Sequence, residues 1–312
     1  MTKLILDVDT GTDDAIAVML AALSPELDLI GVTTVAGNAG IEHTTENTLR
    51  VLDHIGRGDI PVFRGAPGAL VPSTAVADQA ERSRKIHGDY LDLPPSRSKA
   101  RPTPAAEFLV DSFEDGADDL VLVPTGPLTN VATALVLDPG LAGRIPKIVL
   151  MGGGHRIGNV TPAAEFNIWA DPEAARIVLR SGIRDLVVVP LDATHQALVS
   201  DDDCERLNGL GTPAGAAAAG IIRTRIDGYE KVQPQVERRS APVHDALCVA
   251  YLLDETVLET CEIHVDVETS GELTRGRTVG DFRPIPGNPP NAKWATGANR
   301  ARFLELLLEA FS

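Results

Sequence analysis

Apolar runs of strand length alternate with helix-length stretches over the first two-thirds of the chain. Leu4–Val8 reads as a short buried strand, and Asp13–Leu23, apolar nearly all round, as a buried helix. Leu27–Val35 and Ile41–Ile55 repeat the pair, and Pro61–Phe63 makes a short third strand. Pro104–Glu114 is predicted helical. Leu120–Pro124 is a strongly apolar strand running into Thr125-Gly-Pro-Leu-Thr-Asn130 and a helix that reaches Leu137. Lys147–Met151 and Leu186–Pro190 are further strands, with the helix Pro172–Ser181 between them. Repeated βα units with apolar strands imply a mainly parallel sheet covered by helices on both faces, an α/β fold. After Leu191 the pattern turns helical, over Asp201–Leu207, Pro213–Tyr229, Pro242–Leu253 and Asn299–Phe311; Ile263–Glu268 and Arg277–Val279 form a late strand pair. No repeat or polar linker divides residues 1–312, so a single domain is expected. Between Arg64 and Thr103 the periodicity is lost, and a connection of that length is often a lid or binding loop.

Polar motifs fall at the carboxyl ends of the strands, where ligands bind in sheets of this kind. The first strand ends in Asp7-Val-Asp9-Thr-Gly11-Thr-Asp13-Asp14. Asp7 and Asp9 alternate and share one face. Gly11 permits a sharp turn, Thr12 can cap the helix, and Asp13 and Asp14 sit in its first turn, where the helix dipole favours carboxylates. Any one of these acids has an ordinary structural explanation. Four within eight positions repel one another, and a divalent cation with hard oxygen ligands is the simplest way to stabilise them. An EF-hand loop does not fit, because the fifth position is Gly11 and the twelfth Val18. Asp7-Val-Asp9 also matches the opening of the haloacid-dehalogenase phosphatases, but Gly11 stands where their threonine belongs and Asp13-Asp14 is left unexplained.

Composition narrows the partners. A formal net charge of −16 argues against nucleic acid and against an anionic membrane. Three cysteines without CxxC spacing make a zinc site or disulfide framework unexpected. The first strand begins almost at Met1, leaving no room for a signal peptide, and no apolar run spans a bilayer, so a cytoplasmic location is expected. Other candidate groups are weaker alone. Glu165-Phe166-Asn167, shortly after Gly158-Asn159, offers amide, carboxylate and aromatic groups that suit a sugar. His244-Asp245 opens an apolar helix, and Asn38 follows the second strand.

Together these motifs resemble the inosine–uridine preferring nucleoside hydrolase family. The resemblance rests on the opening octapeptide Asp7–Asp14, Thr34-Val-Ala-Gly-Asn38, Pro124–Asn130, Met151-Gly-Gly-Gly154, Asn159 with Glu165–Asn167, and His244-Asp245, in the family's order. Thr10 stands where many members have proline, and the region after Gly287 matches less clearly. The resemblance implies a Rossmann-like nucleoside hydrolase fold with a helical C-terminal part. It also implies calcium-dependent cleavage of the N-glycosidic bond of ribonucleosides, releasing ribose and a purine or pyrimidine base. Asp9, Asp14, Asp245 and the Thr125 carbonyl would hold Ca²⁺, and Asp9 would also take a proton from a calcium-bound water. Asp13, Asn38, Asn159, Glu165 and Asn167 would bind the ribose, with Phe166 lining the sugar pocket. His244 matches the position that in some members protonates the leaving base, His87 and Tyr229 are candidate contacts for that base, and Asp7 would orient the inner carboxylates. Family members are commonly homodimers or homotetramers. A Mg²⁺-dependent phosphohydrolase and a non-catalytic nucleoside-binding protein remain the alternatives.

Overall fold

Nine strands form the central sheet of the computed structural model, which describes residues 1–72, 83, 86–114, 119–283 and 285–312. In chain order they are β1 (Thr2–Val8), β2 (Leu27–Thr34), β3 (Val62–Arg64), β4 (Leu120–Pro124), β5 (Lys147–Met151), β6 (Asp185–Val189), β9 (Leu258–Val267), β10 (Thr278–Asp281) and β11 (Ala292–Ala298). Their spatial order is β3-β2-β1-β4-β5-β6-β11-β9-β10. The first six pair in parallel and follow the doubly wound order, and β11 continues parallel to β6. Only β9 runs antiparallel, between β11 and β10. A separate antiparallel ribbon joins β7 (Leu198–Ser200) to β8 (Ser240–Pro242).

Alternation along the strands divides the core into two layers. On β1, Leu4, Leu6 and Val8 pack on one face, with α1 (Thr12–Leu23), α2 (Ile41–His54), α9 (Asp201–Asn208), α10 (Pro213–Val232), α11 (His244–Leu253) and α12 (Arg300–Phe311). Ile5 packs on the other, with α3 (Ala105–Ser112), α4 (Thr129–Leu137), α5 (Leu141–Arg144) and α7 (Pro172–Leu179). Two short helices, α6 (Phe166–Ala170) and α8 (Leu191–Thr194), follow strand ends. The mainly parallel sheet between helical layers is the expected class.

Several boundaries differ, each for a local reason. Gly11, not Thr12, is the N-cap of α1, and the Asp14 carboxylate accepts the Gly11 N–H at 3.0 Å, closing the first turn from inside. The helix expected from Pro242 begins at His244, because Pro242 pairs with Leu198 in the β7–β8 ribbon. The late strand starts at Leu258 rather than Ile263, and β11 has no counterpart in the expected elements. Of the loop between Arg64 and Thr103, residues 73–82, 84 and 85 lie outside the described residues; these include Lys85, next to the Ile86-His87-Gly88 segment. Among the described residues no helix is long and apolar enough to cross a membrane.

Candidate active site

The strand order reverses between β1 and β4, and the crevice beyond their carboxyl ends holds the polar motifs. It opens as a cleft of about 660 Å³, counting the part open to solvent, within the range of small-molecule sites. Asp13, Asn38, His87, Thr125, Asn159, Glu165, Phe166, Asn167, Tyr229, His244 and Asp245 all line it. Asp9, Asp14 and Asp7 are buried outside this lining, with Asp9 bonded to Asn38 and Asp14 to Thr125 in it.

Each acid is positioned by a named contact. Asp7 Oδ1 accepts from Thr33 Oγ1 at 2.6 Å and Asn130 Nδ2 at 2.7 Å, while its backbone carbonyl accepts the Thr125 N–H at 2.8 Å. Asp7 thus ties the ends of β1, β2 and β4 together. Asp9 Oδ2 accepts the Asn38 N–H at 2.6 Å. Gly37 makes that approach possible, since a Cβ there would sit 2.0 Å from the same oxygen. Asp14 accepts from the Asp9 N–H at 3.3 Å and from the Thr125 hydroxyl at 2.8 Å. Glu165 caps α6 by accepting from Asn167 and Ile168, and also takes the Gly153 N–H. Asn167 Nδ2 donates to the Thr125 carbonyl at 2.7 Å, and Asn159 Oδ1 accepts the Phe166 N–H at 2.9 Å.

The charge balance is uneven. Asp7, Asp9, Asp13, Asp14, Glu165 and Asp245 are all buried, and among the described residues Arg225 is the buried arginine, paired with Asp13. Burial, with neighbouring carboxylates adding, pushes the Asp9 and Asp245 carboxyls well above the usual range. Burial likewise raises Asp7 and Asp14 to about 6 and Glu165 to about 7. Asp7 Oδ2, Asp9 Oδ1 and Asp13 Oδ1 are buried without a hydrogen-bond partner. Oxygens of Asp13, Asp14 and Asp245 lie within 4.8 Å of one another. Buried carboxylates gathered this closely, with Asp13 Oδ1 among them unpartnered, are costly unless a cation or protons compensate. The donor set therefore fits a hard divalent metal, with Asp13 brought into the tightest group beside Asp14 and Asp245.

The other wall carries the histidines. His87 is half-buried and its Nδ1 accepts the Thr12 N–H at 3.1 Å. A side chain at Gly11 would collide with that ring, at 2.1 Å. His244 lies between Tyr229, whose hydroxyl is 2.8 Å from Nε2, and Thr194, whose hydroxyl is 2.7 Å from Nδ1. Burial lowers His87 to about 4 and His244 well below its ordinary value, with Arg225 adding in both cases, so both rings are neutral at pH 7. Arg225, Asn130 and Thr33 were not singled out by sequence reasoning. Arg225 looks like a surface arginine in Ile221–Tyr229; its spacing of four from Tyr229 was the available signal.

Comparison with known proteins agrees with this geometry. Residues 4–305 match the family model described as inosine-uridine preferring nucleoside hydrolase. The chain is 40% identical over 306 residues to the pyrimidine-specific ribonucleoside hydrolase RihA of Escherichia fergusonii, covering 98% of this chain and 97% of that one. A purine-preferring ribonucleoside hydrolase from Gardnerella vaginalis superposes with a TM-score of 0.90 at 37% identity, over 99% of this chain and 98% of that one. These likenesses favour the hydrolase reading over the phosphohydrolase and the non-catalytic binding protein.

Proposed function

The chain belongs to the inosine–uridine preferring nucleoside hydrolase family, and from that premise we propose that it hydrolyses the N-glycosidic bond of purine or pyrimidine ribonucleosides in a calcium-dependent reaction, working as one domain over residues 1–312. The observation that carries this reading is the meeting, at one switch point, of buried acids with free oxygens and the amides of Asn38, Asn159 and Asn167.

Asp13, Asn38, Asn159, Glu165 and Asn167 bond the ribose hydroxyls, and Phe166 covers the sugar's apolar side. Asp9 is the general base. One of its oxygens is fixed by the Asn38 N–H while the other has no partner, so a water proton has a defined acceptor. Its raised pKa makes it a stronger base than an ordinary carboxylate. Asp9, Asp14, Asp245 and the Thr125 carbonyl would hold Ca²⁺, which when bound chelates neighbouring hydroxyls and acidifies water. Positive charge developing on the sugar in the transition state is stabilised by the surrounding carboxylates, which is differential binding. On the base side, His244 is neutral and works as a link in the Tyr229–His244–Thr194 chain, not as an imidazolium.

The test is ribose release from a panel of purine and pyrimidine nucleosides, with Ca²⁺ and after chelation. Asp9→Ala should lower turnover by about a thousandfold with the fold intact. Undiminished turnover in Asp9→Ala would end the mechanism, and full activity after chelation would end the calcium assignment.

A further inference from the structure

Thr44, Asn47 and Thr48 share one face of α2 and are all buried, where a packed helix ordinarily places apolar groups. Asn47 is 2% exposed and uses its whole amide. Its Nδ2 donates to the Thr10 carbonyl at 3.1 Å and to the Asp89 carbonyl at 3.3 Å, and its Oδ1 accepts the Leu91 N–H at 3.1 Å. Two carbonyls and one N–H fix the orientation of the amide, since the flipped form would set oxygen against both carbonyls. Asn47 therefore holds two stretches of chain at once: the acid turn, at Thr10, and the segment that follows His87.

The two stretches are not held equally. The acid turn has a second tie to the same helix, because Thr10 Oγ1 lies 2.7 Å from Thr48 Oγ1, whose hydrogen goes to the Thr44 carbonyl at 2.8 Å. Farther along the segment, Arg50 holds the Leu91 and Leu93 carbonyls, and Asp53 holds the Arg97 and Ser98 N–H groups. Of these anchors on α2, Asn47 reaches closest to His87 along the chain. His87 in turn has a backbone partner. Thr12 is the first residue of α1, so its N–H has no acceptor inside the helix, and His87 Nδ1 supplies one at 3.1 Å. The same nitrogen stands 3.8 Å from Asp13 Oδ1. A closed circuit results, from Asn47 to Thr10, along the turn to Thr12, across to His87 and back through Asp89.

We propose that Asn47 is a positioning residue that sets His87 against the acid turn, so that residues 87–91 form a fixed wall of the cleft and not a lid. For its effect on turnover the proposal rests on the nucleoside hydrolase reading; the placement of His87 does not.

The test uses the full chain with Ca²⁺ present and reads amide hydrogen exchange together with ribose release. Asn47 does not touch the Thr12 N–H. Because Asn47 places the acceptor of that group, Asn47→Ala should speed its exchange by about tenfold or more relative to Leu150, in the core of β5. Asp53→Ala frees the far end of the same segment and should leave Thr12 exchange within about twofold of native. In Asn47→Ala kcat/KM should fall about tenfold, but by less than about twofold further when the substitution is made in His87→Ala, because the two residues act as one unit. Native Thr12 exchange in Asn47→Ala overturns the proposal, as does equally fast exchange in Asp53→Ala. So do losses in kcat/KM that simply multiply, or native kcat/KM in Asn47→Ala. If Asn47→Ala does not fold, the unaltered chain decides: the Thr12 and Leu91 N–H groups should exchange with the same dependence on denaturant, and different slopes overturn the proposal. If the unaltered chain releases no ribose from any nucleoside, the hydrolase reading fails, and the exchange rates still judge Asn47.

Discussion

Gly37→Ala replaces one hydrogen with a methyl group in the turn after β2, and its cost can be worked from the geometry. Gly37 does not have a positive φ, so the substitution meets no backbone strain and acts through space alone. The new carbon would stand 2.0 Å from Asp9 Oδ2 and 2.9 Å from Pro127 Cδ. Ordinary contact begins at 3.4 Å, so the carboxylate oxygen must retreat by about 1.4 Å, the difference between the two. That retreat breaks the 2.6 Å bond from the Asn38 N–H. A hydrogen bond to a charged group contributes about 1.5–3 kcal/mol. Misplacing a reacting group by about 1 Å costs about a hundredfold in rate, or roughly 2.7 kcal/mol. The two routes agree, so kcat/KM for ribose release should fall about a hundredfold. Gly40→Ala is the control, since its added carbon meets nothing closer than 4.0 Å. If Gly37→Ala keeps kcat/KM within about threefold of the native chain, Asp9 is not the positioned base described above.

Two further predictions concern stability. Asn130→Leu removes the donor to Asp7 and to the Thr34 carbonyl and the acceptor for the Ala66 N–H. It should cost about 2–4 kcal/mol in denaturant unfolding, and an unchanged midpoint would show that Asp7 needs no such anchor. The metal-stripped chain should also be more stable at pH 6 than at pH 8. Burial raises Asp7 and Asp14 to about 6 and Glu165 to about 7, above their unfolded values. Stability from such groups is complete below the unfolded pKa and is lost as pH rises through the folded one. Each group contributes on the order of 1–3 kcal/mol. Thermal midpoints that rise from pH 6 to pH 8 without metal contradict this sign.

What was legible in the chain was local. The β1–α1 boundary, the apolar strands β4 to β6 and the acid-rich turn are signals carried by neighbouring residues, so the parallel sheet and most of the cleft lining followed from them. What escaped depends on distant pairing. Ala292–Ala298 mixes alanines with Lys293, Trp294 and Gly297 and lacks an apolar run, and becomes a strand because β6 and β9 flank it. Leu198–Ser200 and Ser240–Pro242 stabilise each other as three-residue strands that neither could form alone. Arg225 was hidden because a helix pattern does not show which arginine faces a carboxylate across the core. His87 illustrates the reverse case: a lone loop histidine reads as solvated, yet Gly11 leaves the space that its half-buried ring occupies.

The acids of the cleft lie at both ends of a long stretch of chain, Asp9 at the close of β1 and Asp245 at the start of α11. During synthesis the amino-terminal half of the sheet leaves the ribosome long before Asp245 does. A nascent chain therefore carries its acids incomplete, and the cluster of Asp13, Asp14 and Asp245 is not assembled until α11 docks.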